Sequence, residues 1–425
     1  MAWTPPERAP WVDNVIAYGR GLGDDGRSMV SLDPGDLLAA ARAATGLEDA
    51  GDDWFEEPMA LLCRALDEEA ELHLAGRLRA RAELQVILQN RLRLVDLWKR
   101  EPVIAEEELA SPIIVTGLGR SGTTLMHELL SCDPANRAPL LWELLHTVPG
   151  ALRGAQAPGS AGTPDWVAVA HAEITLMDAM VPAFTRMHEN AGHLPTECIF
   201  LFAHEFSSDM FTGIYNVPSY TIWKSGADQG PAYRWHRRML QTLQWDPGAV
   251  GPAAGSWVVK APSHLSELPL VFATYPDARV VVNHRDPLRV VGSLADTMAT
   301  LHWMHSDRVA HATLVEFLCM GVEIQMDNVT EVRDSGVLPA GQIADVVYAD
   351  LVADPIGTVA RLYDSWGRDL SAEAEARLKA YVDARHVQRG PSEHRYRFED
   401  TGLELAEHRA LVARYQERFG VPSEV

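Results

Sequence analysis

The sequence predicts an α/β protein, a three-layer parallel sheet flanked by helices with an N-terminal helical layer in front of it. Two observations carry this. Three short apolar runs, Ile113-Ile114-Val115-Thr116, Trp257-Val258-Val259 and Arg279-Val280-Val281-Val282, have the length and β-branched content of buried strands, and each ends in a polar turn bearing Gly or Pro. Helix-like stretches lie between and after them, the alternation that builds parallel sheets.

From about Asp33 to Trp98 the apolar residues Leu62, Leu66, Leu84, Leu88, Leu92 and Val95 recur at steps of four or near multiples, with charges on the opposite face. Pro102 ends this pattern, and Glu106-Glu107-Glu108 reads as a solvated connector. The chain therefore divides into an N-terminal helical region, 1–105, packed on a main domain, 106–425. That domain carries a helical, aromatic-rich insertion at about 150–250. Within the insertion, Pro149 to Pro164 is rich in Gly, Ala and Pro and reads as a mobile loop. Glu197 to Trp245 holds Phe200, Phe202, Phe206, Phe211, Tyr215, Tyr220, Trp223, Tyr233 and Trp235, most of them expected in the core and some lining a pocket.

With 425 residues, 47% of them hydrophobic, the chain can bury a large core. No apolar run is long enough to span a bilayer, and Met1-Ala2-Trp3-Thr4-Pro5-Pro6-Glu7 lacks the form of a secretory signal, so a cytoplasmic location is expected. Cys63, Cys132, Cys198 and Cys319 lie far apart, without the spacing of a zinc cluster or a disulfide scaffold, and read as reduced core residues; no metal ligands are assigned. A formal charge of −22 opposes nucleic acid and anionic membranes as partners. An anionic ligand would need a locally basic site.

Such a site follows the first strand. Gly117-Leu118-Gly119-Arg120-Ser121-Gly122-Thr123-Thr124 leads into the helical pattern Leu125-Met126-His127-Glu128-Leu129-Leu130, so unpaired amides at a helix start face the loop. The spacing is that of a nucleotide-hydrolase P-loop, except that Thr123 stands at the lysine position. A magnesium-bound triphosphate needs that lysine. A single 5′-phosphate can be held by amides, two hydroxyls and one cation, here Arg120. A second anion site follows the third strand: Pro287 suits a first helical turn, Arg285 sits at the strand end, and Arg289 and Ser293 follow at successive steps of four. Two monophosphate sites at neighbouring strand ends describe a nucleotide phosphorylated at both 5′ and 3′ ribose positions.

Here the sequence resembles the sulfotransferases that use 3′-phosphoadenosine 5′-phosphosulfate (PAPS). Arg120 to Leu125 looks like the family's 5′-phosphosulfate loop, and Arg285 to Ser293 is similar to its 3′-phosphate motif. Asp133-Pro134, Arg137-Ala138-Pro139, Leu141-Trp142-Glu143, Trp257 to Leu265 and Tyr348-Ala349-Asp350-Leu351 resemble a bacterial branch. The resemblance implies PAPS as co-substrate, no metal, and a P-loop-like fold. It implies donor binding by Gly119, Arg120, Ser121, Gly122, Thr123, Thr124, Arg285 and Ser293, with Arg389-Gly390 an approximate counterpart of a third donor loop. Arg120 stands where many cytosolic members have lysine, and there the chain instead resembles the tyrosylprotein and carbohydrate sulfotransferases. Lys260-Ala261-Pro262-Ser263-His264-Leu265 replaces the Lys-Thr-His-Leu motif.

Sulfuryl transfer needs an in-line nucleophile and fixed positive charge on the leaving oxygen. Arg120 and Lys260 would supply the charge. Four residues compete for general base: Glu143 leads, on its place after one helix and its similarity to a tyrosylprotein sulfotransferase glutamate, with His264, Glu197 and His193 behind it. The aromatic segment favours a small-molecule hydroxyl acceptor, an alcohol, phenol, lipid or sugar conjugate. Two other classes are weighed: a P-loop kinase or nucleotide hydrolase, which the missing lysine opposes, and a non-catalytic nucleotide-binding protein. A homo-oligomer stays open.

Overall fold

A computed structural model of the chain describes residues 3–147, 165–187, 191–245, 255–388 and 398–425. The Pro149–Pro164 loop and Arg389-Gly390 lie outside the described residues. The first helices are α1 (Pro10–Gly21), α2 (Pro34–Thr45), α3 (Glu56–Glu68) and α4 (Leu74–Arg100). Asp33 caps α2 by accepting from the Asp36 amide, and Gly46 ends it in the left-handed conformation. Then follow β1 (Ile113–Gly117), α5 (Thr123–Ser131), β2 (Asn136–Arg137), α6 (Leu141–Leu145) and α7 (Trp166–Met180). The aromatic segment forms α8 (Ile199–Ala203), α9 (Asp209–Ile214), α10 (Pro218–Gly226) and α11 (Gly230–Trp245). The second half alternates β3 (Ser256–Lys260), α12 (Leu268–Thr274), β4 (Arg279–His284), α13 (Pro287–His305), α14 (His311–Asp334) and β5 (Ile343–Val347). It ends with α15 (Tyr348–Ala353), α16 (Pro355–Ser365), α17 (Ala372–Gln388) and α18 (Leu405–Phe419).

The five strands form one parallel sheet in the order β2-β3-β1-β4-β5. The three expected strands are its centre. β-Strand side chains alternate between faces, and here both faces are apolar. Ile114, Val259, Val280 and Val282 join a core with α11, α12, α14 and α18, whereas Ile113, Val115, Val258 and Val281 join one with α5, α16 and α17. Leu62, Leu66, Leu84, Leu88 and Leu92 form a third core with Phe206, Phe211, Tyr215 and Tyr220, so much of the aromatic segment packs on the N-terminal helices. The last turns of α4 carry Leu94, Val95 and Leu97 into the sheet core. A buried ion pair, Arg91 with Glu205 at 2.8 Å, ties α4 to the loop after α8.

β1 lies between β3 and β4, and the chain reaches those neighbours on opposite sides of it. That reversal opens a crevice at the carboxyl ends of the strands. Register pairs Val115 with Lys260 and Gly117 with Asn283, which brings the glycine loop, Lys260 and Arg285 to one edge.

Candidate active site

Two glycines shape the loop after β1. Gly117 has φ +144°, and a Cβ there would lie 2.4 Å from the Asn283 carbonyl oxygen. Gly122 has φ +92°, and its Cβ would meet the Tyr348 ring at 2.8 Å. Arg120 also holds a positive φ, 69°, a conformation unfavourable for a non-glycine residue. Helix α5 starts at Thr123, so its first amides lack intrahelical acceptors and face the loop. Gly119, Arg120, Gly122, Thr123 and Thr124 line a cavity of about 2480 Å³. Ser121 does not: it is fully buried, and its hydroxyl donates to the Leu118 carbonyl at 2.7 Å, so its side chain closes the turn.

The second element starts at the end of β4. Asp286 caps α13 by accepting from the Leu288 amide, Pro287 opens the helix, and Arg409 grips the Asp286 carboxylate at 2.7 and 2.9 Å. With Asp286 so engaged, Arg285 turns to the loop and donates to the Arg120 carbonyl at 3.0 Å. Its guanidinium stacks on Tyr348, 3.9 Å from the ring centroid, and is bridged by Glu424 at 2.8 to 3.2 Å. Ser293 accepts from Arg120 Nε at 3.2 Å. Arg285, Arg289 and Ser293 line the same cavity, so the two anion motifs form one continuous basic wall in an acidic protein.

The third element is the end of β3. Lys260, 2% exposed, pairs with Glu197 and donates to the Thr124 hydroxyl at 3.3 Å. The Cys198 amide donates to the Lys260 carbonyl at 2.8 Å, fixing Glu197 beside the strand end.

Residues 112–372, more than half of the chain, match the sulfotransferase family. The chain belongs to that family. The sulfotransferase STF1 from Mycobacterium tuberculosis is 29% identical to it, with 89% of this chain and 98% of that one covered and a TM-score of 0.74. STF9 from Mycobacterium avium shares the fold at 24% identity, covering 92% and 97% of the two chains with a TM-score of 0.76. No curated protein matches the chain. It is thus an α/β enzyme of PAPS-dependent sulfuryl transfer.

In this sulfotransferase the four base candidates fall in different places. Glu143 does not line the cavity. Its two oxygens accept from Arg137 Nη2 at 2.8 Å and from the Leu140 amide at 2.9 Å, holding the start of α6 in the interior. Arg137 in turn stacks on Trp257 and donates to the Leu243 carbonyl. His264 is also fully buried, its Nδ1 on the Tyr233 hydroxyl at 2.7 Å, and burial pushes its pKa down to about 3. Glu197 and the exposed His193 do line the cavity, and only Glu197 is joined to Lys260. The same cavity is lined by Ile199, Phe202, Tyr215 and Tyr233 from the aromatic segment, with Phe317 and Met320 from α14. Sequence patterning missed Glu424 and the Arg120–Ser293 contact. The Tyr348 motif was visible, but its stacking role was not. Among the described residues, no helix is long and apolar enough to cross a membrane.

Proposed function

We propose that this sulfotransferase sulfates a hydroxyl of a neutral, largely apolar small molecule, and that Glu197 rather than Glu143 is the general base. The observation that carries this is the Lys260–Glu197–Thr124 contact, which joins the donor loop to the aromatic half of one cavity. Glu143 is spent on a buried ion pair.

The fit to PAPS rests on residues of this chain. The amides at the start of α5 with Thr123 and Thr124 suit a 5′-phosphate, and Arg285 with Ser293 suits a 3′-phosphate. Gly122 lets the loop pass close under Tyr348, which stacks on Arg285. Transfer breaks the bond from sulfur to the 5′-phosphate oxygen and forms one to the acceptor oxygen. Arg120 and Lys260 neutralise charge on the departing phosphate, while Glu197 takes the acceptor's proton. As Lys260 turns to the phosphate it releases Glu197, coupling the two roles. The transfer itself asks for no metal. The division into a helical region, 1–105, and a transferase domain, 106–425, with the acceptor wall in 150–250, belongs to the same proposal.

Ile222, Met320 and Ile324 line the cavity while 66%, 52% and 55% exposed, an apolar rim that supports an apolar acceptor over a polyanionic glycan. The test is a screen with labelled PAPS against neutral alcohols, phenols, lipids, sugar conjugates and anionic glycans. Label on neutral apolar acceptors is expected. Transfer confined to anionic glycans, or no transfer to any hydroxyl, contradicts the proposal.

A further inference from the structure

Behind the Lys260–Glu197 pair, three side chains that are far apart in sequence converge. Cys198 is the residue after Glu197, His236 lies on α11, and His264 follows β3. All three are buried, and one ligand atom from each lies within 4.8 Å of the others. The two imidazoles stand edge to face, 5.6 Å between centroids, and are hydrogen-bonded alike. His236 Nδ1 contacts the Tyr275 hydroxyl at 2.6 Å, and His264 Nδ1 contacts the Tyr233 hydroxyl at 2.7 Å. Both Nε2 atoms are buried and have no hydrogen-bond partner among the described residues.

That pattern is costly as a plain core. Buried polar atoms nearly always find a partner, and an unpaired one calls for a physical cause. Either tautomer leaves the problem. If the phenols accept from Nδ1–H, two buried Nε2 lone pairs are left unpaired; if they donate, two buried Nε2–H groups are. A cation among the lone pairs satisfies both rings together. The phenols then act as the outer partners that usually fix a metal-bound histidine's tautomer and orientation. Phe202 stacks on His236 at a centroid distance of 5.0 Å and meets His264 edge-on at 5.6 Å, giving the group an apolar surround.

We propose that Cys198, His236 and His264 form a binding site for one divalent zinc ion that braces the wall behind the catalytic pair. A thiolate and two imidazoles suit zinc, whose bond lengths of about 2.0 to 2.3 Å require the three ligand atoms to draw together slightly. The Cys198 thiol releases its proton to solvent on binding, and a water completes the four-coordinate shell. The ion takes no part in the transfer. Its role is to hold Cys198, and through it Glu197 and the Lys260 carbonyl, in place. Sequence spacing concealed the group, because its members come from three separate elements.

The test is metal content of the full chain, purified without chelator, exposed to zinc and desalted, and read by elemental mass spectrometry. In parallel, cobalt(II) loading is read by absorption. One equivalent of zinc per chain is expected, with thiolate-to-cobalt charge transfer and the strong visible bands of a tetrahedral site. Cys198→Ser and His236→Ala should abolish both signals. Cys319→Ser, which alters the half-buried Cys319–Glu323–His408 group, should leave both intact. Circular dichroism checks that each variant is folded. A wild-type chain that retains no zinc after desalting and shows no cobalt charge transfer overturns the proposal whatever the variants do. Zinc that persists in folded Cys198→Ser and His236→Ala, or leaves with Cys319→Ser, overturns it as well. The readout is independent of turnover, so either outcome leaves the choice of acceptor and base untouched.

Discussion

Glu424 holds the guanidinium that a 3′-phosphate would need, and the contact sets two opposite expectations for neighbouring residues. Arg285→Ala removes a charge-assisted bond worth about 1.5 to 3 kcal/mol, so affinity for 3′-phosphoadenosine 5′-phosphate should fall roughly tenfold to hundredfold while that for 5′-AMP is kept. Glu424→Gln removes a carboxylate that competes for the same fork; the pair is partly exposed and worth at most about 1 kcal/mol, so affinity should rise by up to about fivefold. Calorimetry on both nucleotides checks the two effects, and equal losses for both nucleotides in Arg285→Ala would contradict the first. The carboxylates separate in the same way. Glu197→Gln should lower turnover about 10²- to 10⁴-fold with donor-product affinity retained. Glu143→Ala instead leaves Arg137 buried without its anion, and urea unfolding should show a loss of about 3 to 5 kcal/mol. A stable, inactive Glu143→Ala would return the base to Glu143.

At the scale of the elements, the turn from β1 into α5 is the part most sensitive to a single carbon. Gly122→Ala places a Cβ against Tyr348 at a backbone angle that L side chains rarely adopt, so the start of α5 must shift. Affinity for both nucleotides should drop together, because the 5′-phosphate contacts are shared; unchanged binding by calorimetry would show that the loop does not hold that phosphate. The strands also show what a sequence can disclose. β1, β3 and β4 were legible because burial on both faces leaves unbroken apolar runs. β2 has only Asn136 and Arg137, too short for a pattern. β5 is an edge strand whose Asp345 is held by His284 and Arg333, so its apolar run is interrupted. The donor motifs were legible for a similar reason, since Gly, Arg and Thr at fixed local spacing meet a phosphate without help from distant residues. The base was not. Glu143 and Glu197 differ in which cation the fold sets beside them, Arg137 or Lys260, and local spacing does not encode that pairing.

The whole molecule carries buried, neutral imidazoles as well as its acidic surface. Burial lowers the pKa of His127 to about 3 and those of His204 and His302 to about 4. Between those values and the ordinary histidine value of about 6.5, the unfolded chain binds protons that the folded one does not, so stability falls as pH falls through that window. Well inside it each histidine contributes roughly 1.4 kcal/mol per pH unit. Glu205, raised by burial to about 7, acts in the opposite sense, but with three histidines against one carboxyl urea midpoints should drop between pH 7 and pH 5, and a midpoint that stays level or rises would contradict this balance. If two anion sites, a lysine–glutamate pair and an apolar pocket form one active site around the strand ends, a crystal structure with 3′-phosphoadenosine 5′-phosphate bound will show it. The 5′-phosphate should sit on the amides of 119–124 beside Lys260, with the 3′-phosphate on Arg285 and Ser293 and Glu424 displaced. A nucleotide bound elsewhere, or a 3′-phosphate remote from Arg285 with Glu424 still in place, would contradict it.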